Sequence, residues 1–60
     1  MAIYKVWGIN SEYTISNPLY VREETADKAL KKAREIDPDM VAVQKFDQKR
    51  ETIPEGNYPV

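Results

Sequence analysis

The chain has 60 residues, of which 42% are hydrophobic and 32% are charged, and its formal net charge is −1. This length allows one domain, and the small net charge excludes a strong overall field that would draw the protein onto nucleic acid or an anionic membrane. The absence of cysteine and histidine excludes a disulfide framework, a Ser-His catalytic arrangement and the usual ligands of a structural zinc site.

The first predicted element is a strand over residues 2–9, where β-branched and aromatic residues are frequent. Strand alternation gives it two apolar faces, with Tyr4 and Val6 on one and Ile3, Trp7 and Ile9 on the other. The apolar run is too short for a signal-peptide core or a membrane span. We therefore expect a cytoplasmic protein with no membrane partner.

A second strand is predicted over residues 12–22, where apolar residues occupy odd positions: Tyr13, Ile15, Leu19 and Val21. The turn formers Asn10 and Ser11 would connect it to the first strand as a hairpin. Pro18 cannot donate a hydrogen bond to a ladder, so we expect it at an edge, a bulge or a break. The pattern predicts an edge strand with a kink.

A helix is predicted over residues 25–37. Its apolar side chains recur at three- and four-residue spacing: Ala26, Ala29, Leu30, Ala33 and Ile36. Thr25 is the expected N-cap, and Pro38 disfavours helical geometry at the preceding residue and so ends the helix. The spacing indicates a helix that packs on a sheet, with Leu30 in one core with Val6 or Val43.

The last predicted strand covers residues 40–46, with Val41 and Val43 on one face and Met40, Ala42 and Phe46 on the other. A right-handed crossover through the helix brings this strand parallel to the second one, most simply on the far side of the first. The expected fold is α+β in β-β-α-β order, with a three-stranded sheet (order 2-1-3) and one helix on one face.

The remaining residues, 47–60, are polar and contain Pro54, Gly56 and Pro59, which discourage regular structure. They are expected to form a largely irregular, partly flexible C-terminal tail. The single domain is then expected to cover residues 1–46.

One helix covers only one face of such a sheet, so the face with Ile3, Trp7 and Ile9 needs another cover. Lys5 shares this face, which favours the side away from the helix. Three interpretations are open: the tail folds back through Ile53, Tyr58 or Val60, the face contacts a second copy or another protein, or its aromatics stack on single-stranded nucleic acid. The candidate partner-binding residues are Ile3, Lys5, Trp7, Ile9, Tyr13, Tyr20 and Tyr58.

Charged residues suggest two further sites, one for phosphate and one for calcium, and in both cases an ordinary structural role explains the residues better than ligand binding. Basic residues on and after the helix could form a phosphate-binding stripe: Lys28, Lys31, Lys32, Arg34, Lys45, Lys49 and Arg50. Acidic residues four positions away offset the helix lysines, which favours a solvated helix face. Asp37 and Asp39 supply too few ligands for calcium and fit a helix end. We expect no catalytic residue, no metal and no cofactor.

The layout resembles that of many short β-β-α-β proteins encoded by bacteriophages and mobile elements. The resemblance covers residues 3–46 and lies in an acidic, threonine-capped helix start (VREETADKAL) and a valine-rich strand (MVAVQKF). It is one of pattern and carries no functional motif and no site.

The expected function is that of a small non-enzymatic protein-binding module, with self-association to a homodimer as one mode of binding. The phage-like layout adds inhibition of a host protein as a special case. The alternative is a nucleic-acid-binding accessory protein that uses the sheet aromatics and helix lysines, although the charge balance makes nucleic acid a weak partner.

Overall fold

In the part of the chain that the structure describes, three strands and one helix follow one another in β-β-α-β order. A computed structural model of the chain describes residues 1–54, 56–57 and 59–60. The elements are β1 (Ala2–Gly8), β2 (Leu19–Glu23), α1 (Ala26–Ile36) and β3 (Met40–Lys45). The sheet order is β2-β1-β3, and both outer strands run antiparallel to β1, so β2 and β3 are parallel to each other. The predicted α+β fold and strand order are confirmed.

The second strand is shorter than the sequence predicts, because the first half of the predicted segment forms a loop. The Ser11 hydroxyl donates to the Tyr13 carbonyl at 3.0 Å and accepts from the Tyr13 amide at 3.1 Å. The Asn17 amide closes a turn by donating to the Thr14 carbonyl at 2.9 Å. Local hydrogen bonds thus pair backbone groups that would otherwise have paired with a neighbouring strand. As a result, β2 begins only after Pro18.

The helix begins and ends where its capping residues predict. The Thr25 hydroxyl accepts from the amide of Lys28 at 3.2 Å, which satisfies one of the unpaired donors of the first turn. Asp37 is extended and its amide donates to the carbonyl of Ala33 at 2.8 Å, so the helix stops before Pro38. The predicted helix is confirmed with these two residues as its caps.

A β-bulge in β3 changes the faces that the sequence predicts for this strand. Trp7 pairs with Ala42 and Gly8 pairs with Met40, so Val41 is an extra residue without a partner on β1. Met40 is consequently fully buried on the helix side, where Val43 also packs. The prediction that Met40 shares a face with Ala42 and Phe46 was wrong, because strict alternation does not continue through a bulge.

Gly8 is required where the bulged end of β3 approaches β1. A Cβ atom at this position would collide with the backbone carbonyl of Asp39. Only a residue without a side chain lets the two backbones approach so closely. This contact ends β1 at Gly8, one residue before the predicted end.

The helix covers one face of the sheet and leaves the other to a second cluster. The helix-side core consists of Tyr4, Val6, Leu19, Val21, Ala29, Ala33 and Met40, and Leu30 packs against it. The expected core that joins Leu30 to Val6 is therefore confirmed. The opposite face carries a smaller cluster of Ile3, Tyr20 and Phe46. The two apolar faces predicted for β1 are both present, and Ile3 lies away from the helix as expected.

Candidate interaction surfaces

The sheet face opposite the helix, here called the outer face, is arranged in three rows across the strands. In one row, Ile3 lies between Arg22 and Phe46. In the next, Lys5 lies between Tyr20 and Gln44. In the last row Trp7 lies beside Ala42. The register therefore brings Ile3, Tyr20 and Phe46 together at one end of the face, and places Lys5 and Gln44 between this group and Trp7.

The tail covers one half of the outer face. Ile3, Tyr20 and Phe46 are only 7%, 5% and 6% exposed, and Ile53 from the tail packs against them. The rings of Tyr20 and Phe46 meet edge to face, with centroids 5.4 Å apart. Burial raises the pKa of the Tyr20 hydroxyl, and the nearby carboxylate of Glu51 raises it further. This half is a closed minor core.

The last residue of the chain pairs with the outer edge of β2. The amide of Val60 donates to the Tyr20 carbonyl at 3.0 Å, and the Val60 carbonyl accepts from the Arg22 amide at 2.9 Å. The two hydrogen bonds bracket Val21, which is the pattern of a one-residue parallel bridge. Val60 thus lies at the edge of β2, and Ile53 is the tail residue whose packing bears out coverage by the tail for the half of the outer face that contains Ile3.

The other half of the outer face remains accessible. Trp7 is partly buried beside Ala42, and neither Ile53 nor any other tail residue that the structure describes belongs to a cluster with it. Two apolar residues at this end are largely exposed, Ile9 at 67% and the bulged Val41 at 51%. We call this half the open patch and define it as Lys5, Trp7, Ala42 and Gln44 of the outer face, together with two exposed residues that flank them in the chain, Ile9 after the end of β1 and Val41 at the bulge of β3.

The structure separates the candidate residues into groups. Lys5, Trp7 and Ile9 lie in the open patch, whereas Ile3 and Tyr20 are buried under the tail. Tyr13 packs against the helix-side core instead of the outer face, because its loop turns back to β1 and its carbonyl accepts from the Gly8 amide at 2.7 Å. Tyr58 lies outside the described residues. Sequence reasoning missed Val41, Ala42 and Gln44, whose places depend on the register and the bulge of β3.

The two edges of the sheet differ. The amide of Phe46 donates to the Ile3 carbonyl at 2.8 Å, and antiparallel alternation then directs Gln44 and Ala42 toward β1 and directs Val43 and Lys45 away from it. Within the described part of the chain, the outward amides and carbonyls of Val43 and Lys45 have no hydrogen-bond partner. The Met40 carbonyl is occupied, because Arg34 donates to it at 2.9 Å. The β3 edge is thus open from Val41 onward.

The helix lysines share their surface with acidic residues. Lys28 lies 3.4 Å from the carboxylate of Glu24, with both side chains more than half exposed. A shallow groove beside them is lined by Glu23, Lys28, Lys31, Lys32 and Glu35. Exposed pairs of this kind contribute little to stability and reduce the local positive potential. The groove is a solvated helix face with mixed charge.

No enclosed site is evident in the part of the chain that the structure describes. A cleft of about 640 Å³ lies between the start of β1 and the residues from the end of β3 onward, but it is open to solvent and its lining is an even mixture of apolar and polar side chains. Among the described residues, no three acidic side chains are grouped as a metal site would need. Within residues 1–54, 56–57 and 59–60, no helix has the length and hydrophobicity to cross a bilayer. Comparison with protein-family models, with curated proteins and with solved structures gives no match.

Proposed function

We propose that the protein is a small, non-enzymatic protein-binding module of the cytoplasm that presents the open patch to a protein partner. The observation that carries this proposal is the unequal cover of the outer face. Ile53 packs on the half around Ile3, whereas Trp7 lies outside that cluster, and Ile9 and Val41, which flank the end of β1 and its partner Ala42 in the chain, are exposed. Exposed apolar groups around an aromatic residue, with Lys5 and Gln44 at the rim, are typical of protein contact sites.

The composition of the patch favours a protein over single-stranded nucleic acid. A protein that binds single-stranded nucleic acid needs several exposed aromatic rings on which successive bases stack, and a cationic groove for the phosphates. In the described part of the outer face Trp7 is the only aromatic residue outside the buried cluster, since Tyr20 and Phe46 are covered. The helix lysines lie on the other side of the sheet, where acidic residues offset them. Nucleic-acid binding remains the alternative, and a host-protein inhibitor of the phage-like kind is a special case of protein binding.

Affinity capture with two matched variants tests the proposal. Ile9→Ser removes an exposed apolar side chain from the open patch, and Ile36→Ser makes the same change on the helix, where Ile36 is 48% exposed. The immobilised full chain is incubated with a lysate of its native cells, with and without nuclease. We expect a protein that is retained after nuclease treatment, retained by Ile36→Ser and lost by Ile9→Ser. Loss of all captured protein on nuclease treatment would instead favour the nucleic-acid alternative.

A further inference from the structure

The outer edge of β3 is the edge with which no other segment pairs in the described part of the sheet. Two short strands flank β1, and the edge of β2 is already occupied by Val60. On β3, the amides and carbonyls of Val43 and Lys45 point outward and are unpaired within the described residues. An unpaired edge of this kind is a template for another strand.

The charges around β3 indicate which strand could pair with its open edge. The residues before it, 35–39, contain three acidic side chains and no basic one: Glu35, Asp37 and Asp39. The residues from its end onward, 45–50, contain three basic side chains and one acidic one: Lys45, Lys49 and Arg50 against Asp47. A second β3 in antiparallel orientation places the acidic start of one copy beside the basic end of the other, and symmetry produces the same match twice.

From these two observations we infer that the protein forms a homodimer by antiparallel pairing of β3 with β3 of a second copy, which gives one continuous six-stranded sheet. In the register centred on Val43, the amide and carbonyl of Val43 pair with those of the other Val43. Lys45 then lies opposite the partner's Val41 and diagonal to the partner's Asp39, a spacing at which long side chains interact. The same register sets Asp39 opposite the partner's Asp47, a like-charge contact that the pairing of Asp47 with Arg50 at 3.6 Å offsets. The Arg34 side chain on the Met40 carbonyl limits the pairing to the segment from Val41 onward.

The inference concerns the sheet edge and does not depend on the open patch. A strictly monomeric protein would overturn it and leave the proposed function standing. Two copies joined at β3 would also carry two open patches, one beside each side of the new interface, because Trp7 lies next to Ala42 on the adjoining strand.

A charge-exchange experiment tests the arrangement through two exposed positions, Asp39 and Lys45. Lys45→Glu places a second carboxylate near the partner's Asp39, and Asp39→Lys places a second ammonium group near the partner's Lys45, so each variant alone has two like-charge contacts per dimer. An equal mixture of the two variants also forms a heterodimer, and this heterodimer has no like-charge contact. One of its contacts joins the two introduced side chains, and the other joins the native Lys45 and Asp39. Both contacts are again between opposite charges. Sedimentation equilibrium at low salt measures the association constant of each sample, and circular dichroism verifies that each variant is folded.

We expect concentration-dependent dimerisation of the unmodified protein, an association constant reduced by about tenfold in each single variant, and recovery in the mixture. Three results would overturn the inference. The first is an unmodified protein that stays monomeric up to about 1 mM, where even weak complexes form. The second is a dimer that both single variants leave unchanged. The third is a mixture that fails to recover association, because antiparallel two-fold pairing requires that recovery.

Discussion

Val60 lies beside Val21 at the outer edge of β2, joined through hydrogen bonds of 3.0 Å to the Tyr20 carbonyl and 2.9 Å from the Arg22 amide. The chain therefore returns to the sheet at its last residue. Earlier in the tail, Ile53 reaches the outer face and packs on the cluster of Ile3, Tyr20 and Phe46. This return closes one edge and half of one face, and it leaves the edge of β3 and the open patch for contacts with other molecules.

The bridge at Val60 gives a prediction for amide exchange. Deletion of Val60 removes the acceptor of the Arg22 amide, so exchange of that amide is expected to accelerate by about tenfold, the equivalent of one net hydrogen bond. The amide of Val21 faces β1 and serves as the internal control. Hydrogen exchange followed by NMR measures both. Equal protection of Arg22 with and without Val60 would show that the tail does not pair with β2.

The contact of Ile53 with the minor core gives a prediction for stability. Ile53→Ala is expected to lower the free energy of unfolding by about 1–2 kcal/mol, less than for a fully buried isoleucine because Ile53 is only partly buried. Ile15→Ala is the matched control: Ile15 is 65% exposed, and the expected change is within about 0.5 kcal/mol. Urea denaturation of both variants provides the comparison. Equal effects of the two substitutions would contradict the cover of the outer face.

The packing of the helix gives a second stability prediction. Leu30 packs against the helix-side core, so Leu30→Ala is expected to cost about 2 kcal/mol, a large fraction of the stability of a domain this small. Ile36→Ala changes a residue on the same helix that is 48% exposed and is expected to cost much less. Thermal and urea unfolding of both variants test the difference. A Leu30→Ala protein as stable as the parent would show that this side of the helix does not face the sheet.

The environment of Tyr20 gives a prediction for alkaline pH. Burial, followed by the carboxylate of Glu51, raises the pKa of Tyr20 above its ordinary value of 10.0 in the folded protein. The folded state then holds the phenol proton at a pH where the unfolded chain has already lost it, so the contribution of Tyr20 to stability is complete only below the unfolded pKa. As pH rises from the unfolded pKa through the folded one, the unfolded chain loses its proton first, and the net cost of ionising the buried phenol lowers the stability of the fold. Urea midpoints between about pH 8 and about pH 11.5 are expected to fall more steeply for the parent than for Tyr20→Phe. Parallel curves would exclude the raised pKa.

The sequence was sufficient where local chemistry decides the structure. Thr25 and Pro38 define both helix ends, and the period of the alanines defines the buried side of the helix. The loop before β2 was misassigned because its apolar odd positions imitate a strand, whereas Ser11 and Asn17 satisfy the backbone locally. The bulge at Val41 lies where Gly8 approaches Asp39, a contact between residues distant in sequence.

The candidate surface was predictable only in part, for the same reason. Alternation predicts Lys5, Trp7 and Ile9 on the outer face, and the strand carries this pattern as far as Trp7, because β1 ends before Ile9. Which half stays open depends on where Ile53 packs, and which residues surround Trp7 depends on the register of β3. Both are long-range contacts that no local pattern encodes.

Site-specific photocrosslinking at the open patch tests the proposed protein-binding function most directly. The photoreactive amino acid p-benzoylphenylalanine replaces Ile9 in one variant and Ile36 in another, and each is irradiated in the cells that naturally produce the protein. Both positions are exposed and apolar, but only Ile9 belongs to the patch. The expected result is a covalent adduct with another polypeptide at position 9 and none at position 36. Adducts at neither position, or equally at both, would contradict the assignment of the patch as the binding surface.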